Sequence, residues 1–303
     1  MLYYSFNTYL RKTFNERVQK ITIDAGLSCP NRDGIKGVGG CIYCDSRGSG
    51  SGASKKYPDI AAQVIAGRDF LARRYKAKKF IVYFQSFCNT CAPPETLKTM
   101  FDEAVNLPGI VGLAVATRPD CLSQEVLALL ASYTNRLMVW LELGLQTIHD
   151  NTLRLINRGH TYQEFLNGYR LARNYPVRIC LHVIIGLPGE GREAILSTAR
   201  EVARLKPDGI KIHSLYIIKG TALEKIFNEG NYHPLEQEAF TALACDFLEV
   251  LPEDVVIQRL TGDPAPGELI APLWTLKKNE TLNMIEKEMK QRKSWQGQQS
   301  APA

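Results

Sequence analysis

Runs of apolar and β-branched residues recur along the chain, separated by stretches that read as helices. The runs are Val18–Asp24, Phe80–Gln85, Val111–Thr117, Leu137–Gly144, Val177–Ile185 and Gly209–Ile217, with a weaker seventh at Val255–Arg259. Each is continuous rather than alternating, which is the pattern of a parallel strand buried on both faces. Helices are predicted over Pro58–Tyr75, Pro94–Asn106, Ser123–Tyr133, Thr161–Asn174, Gly191–Leu205 and Pro234–Val250. Ser123 ahead of Glu125, and Thr161 ahead of Glu164, stand as helix-start signals. Strand–helix alternation six times over predicts an α/β fold built as a (β/α)6 barrel, whole or partial. An open doubly wound sheet is the alternative. No internal repeat is visible.

Two segments break the rhythm. Asp45–Tyr57 (DSRGSGSGASKKY) is a Gly/Ser loop, and Thr261–Trp274 (TGDPAPGELIAPLW) is turn-rich. An amphipathic, basic helix is then expected over about Asn279–Lys293, followed by a polar tail expected to be disordered. The division that follows is a core domain over 1–259, with an N-terminal extension to about residue 17, and a C-terminal extension over 260–303.

Composition narrows the class. At 45% hydrophobic and 22% charged, the 303 residues are neither disordered nor collagenous. No apolar run approaches the roughly 20 residues of a membrane span. The start, MLYYSFNTYLRKTFNERVQK, is polar and aromatic, unlike a secretory signal, so a cytoplasmic protein is expected. A net charge of +6 permits a polyanionic partner without requiring one. Of the eight cysteines, any cluster suggests metal before disulfide, because the expected compartment is reducing.

Cys29, Cys41 and Cys44 lie in DAGLSCPNRDGIKGVGGCIYC, directly after the first predicted strand. Catalytic groups of such barrels sit in these strand-to-helix loops. The two-residue gap between Cys41 and Cys44 lets two thiolates reach one metal centre, and Cys29 adds a third. With no His nearby and no fourth Cys in the loop, the set points to an iron–sulfur cluster with one open iron. A zinc site closed by Cys88 or Cys91 (FCNTCAP), or unligated core thiols, are the alternatives. Cys121, Cys180 and Cys245 fall in apolar surroundings and read as core.

At Cys41-Ile42-Tyr43-Cys44 the chain resembles a radical S-adenosylmethionine (SAM) enzyme, keeping the second half of a Cys-x3-Cys-x-aromatic-Cys signature but widening its first gap to eleven residues. Wide gaps resemble the branch of the elongator catalytic subunit. TRPD (Thr117–Asp120) and LELGLQTIHDNTLRLINRGHT (Leu141–Thr161) also resemble that branch, the latter being similar to oxygen-independent coproporphyrinogen dehydrogenase too. IIGLPGE (Ile184–Glu190) and IKIHSLYIIKGT (Ile210–Thr221) complete the series. The order of motifs over about residues 18–250, with the RLTGD and APLW stretch, is similar to the YhcC/YtqA-type subgroup.

The resemblance implies a partial (β/α)6 TIM-like barrel with a short C-terminal helical extension. It also implies a 4Fe-4S cluster on Cys29, Cys41 and Cys44, with SAM on the fourth iron. An electron donor such as flavodoxin or ferredoxin is implied, and reductive cleavage of SAM to a 5′-deoxyadenosyl radical. SAM contacts carried over by position are Tyr43 at the adenine, Gln85 and Ser86 where relatives hold the amino group, Gln146 and Arg158 at ribose and carboxylate, and His182. Gln85-Ser86-Phe87 lacks the glycines usual there. His182 on an apolar strand also reads as a core group, and Arg158 as a helix-end cation. Glu142, four residues before Gln146 on the same strand face, needs a partner if buried; SAM or substrate would serve. Cys88 and Cys91 read as two reduced thiols near a strand end, with a second cluster, closure of the first, or a radical-stage thiol as the alternatives. Two basic stretches, Arg68–Lys79 and Lys277–Lys293, fit an RNA partner, a transfer RNA modified at its wobble uridine. They fit ordinary solvated helices equally. A small metabolite or cofactor precursor as substrate, and a zinc-stabilised RNA-binding module without catalysis, are the competing readings.

Overall fold

The computed structural model describes residues 1–300 except Ser49, Ser51 and Pro266. The chain runs α1 (Phe6–Phe14), β1 (Val18–Ile23), α2 (Ile60–Tyr75), β2 (Lys79–Phe84), α3 (Pro94–Val105), β3 (Ile110–Thr117), α4 (Gln124–Ser132) and β4 (Met138–Gln146). It continues through α5 (Asp150–Leu155), α6 (Tyr162–Ala172), β5 (Arg178–Ile185), α7 (Arg192–Leu205), β6 (Gly209–Ser214) and β7 (Ile217–Ile218). Then follow α8 (Ala222–Asn228), α9 (Gln237–Val250), β8 (Val256–Arg259), β9 (Leu269–Ala271) and α10 (Lys278–Arg292). Seven strands pair in the order β1–β2–β3–β4–β5–β6–β8, every pairing parallel. The sheet curls into a partial barrel with the helices outside.

The weaker seventh run joins the six others as a strand of the partial barrel. Val256–Arg259 is short and half polar because it forms one edge of the sheet, where a helix covers less of it. The N-terminal segment shields that edge: Ile257 N–H donates to the Tyr4 carbonyl at 2.8 Å. The run Gly209–Ile217 is likewise two strands, since β7 leaves the barrel to pair antiparallel with β9.

Alternate residues of each strand face opposite ways. Outward residues such as Val82, Leu113, Leu141, Ile179 and Ile210 form one continuous core with the helices. Inward residues at the strand starts make a smaller cluster of Ile81, Ala114, Trp140, Cys180 and Val256, closed from below by α1. Phe6 and Tyr9 each present a ring edge-on to Trp140, at 5.8 Å. This helix, read from sequence as a polar extension, is a plug. The tail read as disordered is also held. Gln296 donates to the carbonyls of Pro252 (2.6 Å) and Val255 (2.8 Å) and accepts from Tyr4 N–H (2.9 Å). Residues 301–303 of that tail, Ser49 and Ser51 of the Gly/Ser loop, and Pro266 of the turn-rich segment lie outside the described residues.

Candidate active site

The loop after β1 must bring three cysteines to one place although the first two are far apart in sequence. It does so by folding most of the gap away. Gly40 N–H donates to the Asn31 carbonyl at 2.8 Å, and Asp33 pairs with Val38 as an antiparallel bridge. Gly34 turns the hairpin at φ +90°, a conformation that suits glycine. Residues 32–39 are therefore an excursion. Across its base only Pro30, Asn31 and Gly40 separate Cys29 from Cys41, which restores the Cys-x3-Cys spacing. A tight turn then brings Cys44 N–H to within 3.0 Å of the Cys41 carbonyl.

The loop is sewn to the segment after α5. Asn31 donates to the Asn157 carbonyl at 2.6 Å, and Asn157 donates back to the Gly40 carbonyl at 2.8 Å. Ile42 N–H donates to the Ile156 carbonyl at 3.1 Å. Arg158 follows, buried, with Nη1 3.7 Å from Cys41 Sγ and Nη2 donating to the Gly144 carbonyl at 2.9 Å. Its Nε has no hydrogen-bond partner among the described residues. A Cβ on Gly144 would stand 2.5 Å from Arg158 Nη2 and 2.7 Å from Gln146 Nε2, so only glycine leaves both side chains room.

The TRPD segment holds this arrangement from behind. Arg118 donates to the carbonyls of Arg158 (2.8 Å) and Gly159 (3.0 Å) and makes a bidentate pair with Asp120. Lys36, from the hairpin, reaches Asp120 at 2.8 Å. Burial alone would raise the Asp120 pKa; hydrogen bonding and charge from Arg118, then Lys36, outweigh it and bring it to about 2. Burial and the neighbouring Arg158 cation push His160 down to about 3, so the ring is neutral.

A cavity at the strand ends has Cys29, Cys41, Cys44 and Tyr43 on its rim. Glu142, His182, Lys211, His213 and Arg259, from the inward faces of the strands, line it too. Glu142 is fully buried; its Oε1 accepts from Lys20 Nζ at 2.6 Å, and its Oε2 accepts from Lys211 Nζ and lies 2.7 Å from His182 Nε2. Burial opposes its ionisation, but Lys20, Lys211 and His182 together hold its pKa well below the carboxylate range. Burial and the charge of Lys211 lower His182 to about 4. Burial also lowers Lys211, to about 7. The expected partner of Glu142, SAM or substrate, is thus replaced by three internal cationic or hydrogen-bonding groups.

Of the residues expected on SAM, Tyr43, Gln85, Glu142, Gln146, Arg158 and His182 line this cavity, whereas Ser86 does not. Ser86 is turned beneath the Gly50 backbone, and its carbonyl accepts from Asn89 at 3.0 Å. Gln146 closes β4 with φ +69°, a left-handed conformation unusual for its type. Cys88 and Cys91, read as reduced, are joined by a disulfide. Among the described residues, the sulfurs of Cys29, Cys41 and Cys44 do not gather within 4.8 Å of one another. That spread suits a multi-iron cluster better than one ion with metal–sulfur bonds of about 2.3 Å. Three thiols on one cavity, the orphaned Arg158 Nε and the Gly144 cradle fit a cluster with a polar ligand beside it. Sequence reading gave no role to Asn31, Lys36, Arg118, Asp120 or Lys211. The TRPD and INRGH runs were the available signal for Arg118, Asp120 and the Asn157–Arg158 turn.

Among the described residues no helix is long and apolar enough to cross a membrane. Two family profiles match: "Radical SAM superfamily" over residues 34–202 and "Radical_SAM C-terminal domain" over 207–291. YtqA of Bacillus subtilis is 40% identical over 295 residues, covering 97% of this chain and 92% of its own. A tRNA uridine(34) acetyltransferase of Dehalococcoides mccartyi is 34% identical over 157 residues, 50% of this chain and 33% of its own. The archaeal Methanocaldococcus infernus Elp3 structure superposes with TM-score 0.72 at 18% identity, over 92% of this chain and 64% of that one, which establishes the shared fold. With catalysis implied by this family, the non-catalytic zinc module falls away. The chain belongs to the radical SAM superfamily, in the subgroup of YtqA, and is an enzyme that uses a 4Fe-4S cluster and SAM.

Proposed function

We propose that Cys29, Cys41 and Cys44 hold the cluster and that the enzyme modifies an RNA base, a transfer-RNA wobble uridine. The observation that carries the ligand assignment is the hairpin base Asn31–Gly40, which converts an eleven-residue gap into a three-residue one. When bound, the cluster and SAM supply a 5′-deoxyadenosyl radical. The chain's own residues do the rest. Arg158, held by its Nη2 on the Gly144 carbonyl and by Arg118 on its own carbonyl, offers Nε as a charged donor to a carboxylate. Tyr43 and Gln146 flank the same space, and the α1 plug keeps water from entering below. The RNA assignment is supported by the partial match to the tRNA uridine(34) acetyltransferase.

One observation favours a second reading, a small anionic substrate. The exposed cations Arg73 and Arg74 in the last turn of α2, with Lys76 and Lys78 after it, lie at the strand starts, the end opposite the cavity. The cationic side chains that do line the cavity, Arg32, Arg118, Arg158, Lys211 and Arg259, surround a space of small-molecule size. Anaerobic reconstitution with iron and sulfide should give a brown protein that forms 5′-deoxyadenosine under reductant, and Cys41→Ala should lose both properties. If that variant keeps colour and turnover, the ligand assignment is wrong. Mass analysis of transfer-RNA nucleosides from a deletion strain decides the substrate: an altered wobble uridine supports RNA, and an unchanged one leaves the small anion.

A further inference from the structure

The chain carries a second group of sulfurs that the radical chemistry does not use. Cys88 and Cys91 lie in the loop after β2, and Cys121 in the short turn after β3. Their three Sγ atoms all lie within 4.8 Å of one another. A zinc ion with bonds of about 2.3 Å holds tetrahedral thiolates about 3.8 Å apart, so the trio needs only small side-chain adjustments to enclose one. Cys29, Cys41 and Cys44 do not have this compactness, and the two groups share no member.

The surroundings are built. Cys88 Sγ lies 3.2 Å from the Thr117 hydroxyl and 3.9 Å from that of Thr90. Thr90 donates to the Cys121 carbonyl at 2.6 Å, which ties the β2 loop to the β3 turn that carries the third sulfur. Such outer hydrogen bonds orient ligands before a metal arrives. Cys88 is fully buried and Cys91 is exposed, so the trio has a protein side and a solvent side. Cys88 N–H also donates to the Ser28 carbonyl at 3.3 Å, which places the group directly behind the loop bearing Cys29.

We propose that Cys88, Cys91 and Cys121 form a separate zinc site, with three thiolates and a fourth position open to water. The disulfide must first open: its S–S bond takes two electrons and two protons from a dithiol, which itself becomes a disulfide. Zinc then displaces one proton from each of the three thiols. With the disulfide opened by the dithiol, all three thiols are available to the metal.

The test uses the full-length chain, reduced with dithiothreitol under anaerobic conditions, in a Cys41→Ala background that removes competition from the cluster ligands. After zinc loading and passage over a desalting column, one zinc per chain is expected. Cobalt substituted for zinc should give thiolate charge-transfer and tetrahedral absorption bands. Adding Cys121→Ser should lose the retained zinc and the bands. Cys91→Ala, at an exposed position, serves as a second variant and should do the same if Cys121→Ser misfolds. Zinc should also slow alkylation of Cys91 by iodoacetamide at least tenfold. Absence of stoichiometric zinc in the parent, retention unchanged in both variants, or unprotected Cys91 overturns the proposal. Iron content and 5′-deoxyadenosine formation of the otherwise native enzyme are read separately, so failure here leaves the cluster assignment intact.

Discussion

The outward and inward faces of the sheet come from the same strands, one residue in two, yet differ in chemistry. On β4, Leu141 and Leu143 point outward into the helix-packed core, while Trp140, Glu142 and Gly144 point inward. The outward face is uniform from end to end. The inward face changes with height: apolar at the plug, ionic at Glu142, then open and lined by the cysteines. A sheet buried on both faces would be expected to carry continuous apolar runs. The difference teaches that burial alone does not decide polarity; what lies above does. Charge is kept only where three neighbours satisfy it and a cavity begins.

Removing Glu142 attacks this distinction most strongly. Glu142→Gln leaves Lys20 and Lys211 facing each other without their carboxylate, and should cost about 3–5 kcal/mol in denaturant unfolding. The paired change Glu142→Leu with Lys211→Met should recover most of that loss, because apolar replacement of a buried pair is often neutral. If it does not, the ionic layer contributes more than mutual satisfaction. On the other face, Leu143→Ala should cost about 2–5 kcal/mol by opening a cavity, with no dependence on pH. A strong pH dependence in that variant would blur the two faces.

Acid titration probes the rim. Asp120 is held at about 2, below its unfolded value, so its contribution is present above about pH 4 and is lost as pH falls towards 2. The loss should amount to about 2 kcal/mol, and Asp120→Asn should flatten that part of the stability profile. His160 acts earlier: the unfolded ring takes a proton below about pH 6.5 while the folded one, held near 3, does not. Stability should therefore already decline from pH 6.5 downward in Asp120→Asn. The smallest effect is local. Thr161 and Glu164 form a capping box on α6, and Thr161→Ala should lower the unfolding free energy by about 1 kcal/mol.

Much of the outward face was legible because each strand supplies its own apolar run. The three cluster cysteines were legible because they share one loop. The ionic layer was not: Lys20 and Glu142 are 122 residues apart, and Lys211 lies 69 beyond Glu142. Each reads singly as an odd charge in a strand, and only the parallel registers bring them together. Cys121 was assigned to the core for the same reason, since its neighbours Cys88 and Cys91 stand on another strand's loop. The α1 plug escaped because its apolar residues Phe6, Tyr9 and Leu10 are few and sit among Arg11, Lys12 and Asn7. The widened cysteine gap was visible as a number, but its hairpin needed coordinates.

The plug at the base of the barrel also governs traffic. Trp140, Ile81 and Ala114, fully covered above it, seal the strand-start end of the barrel, so a guest approaches the cavity from the strand ends, where the cysteines lie. A helix remote from the chemistry thereby gives the vessel its direction: α1 fixes which end is base and which is mouth without touching a guest.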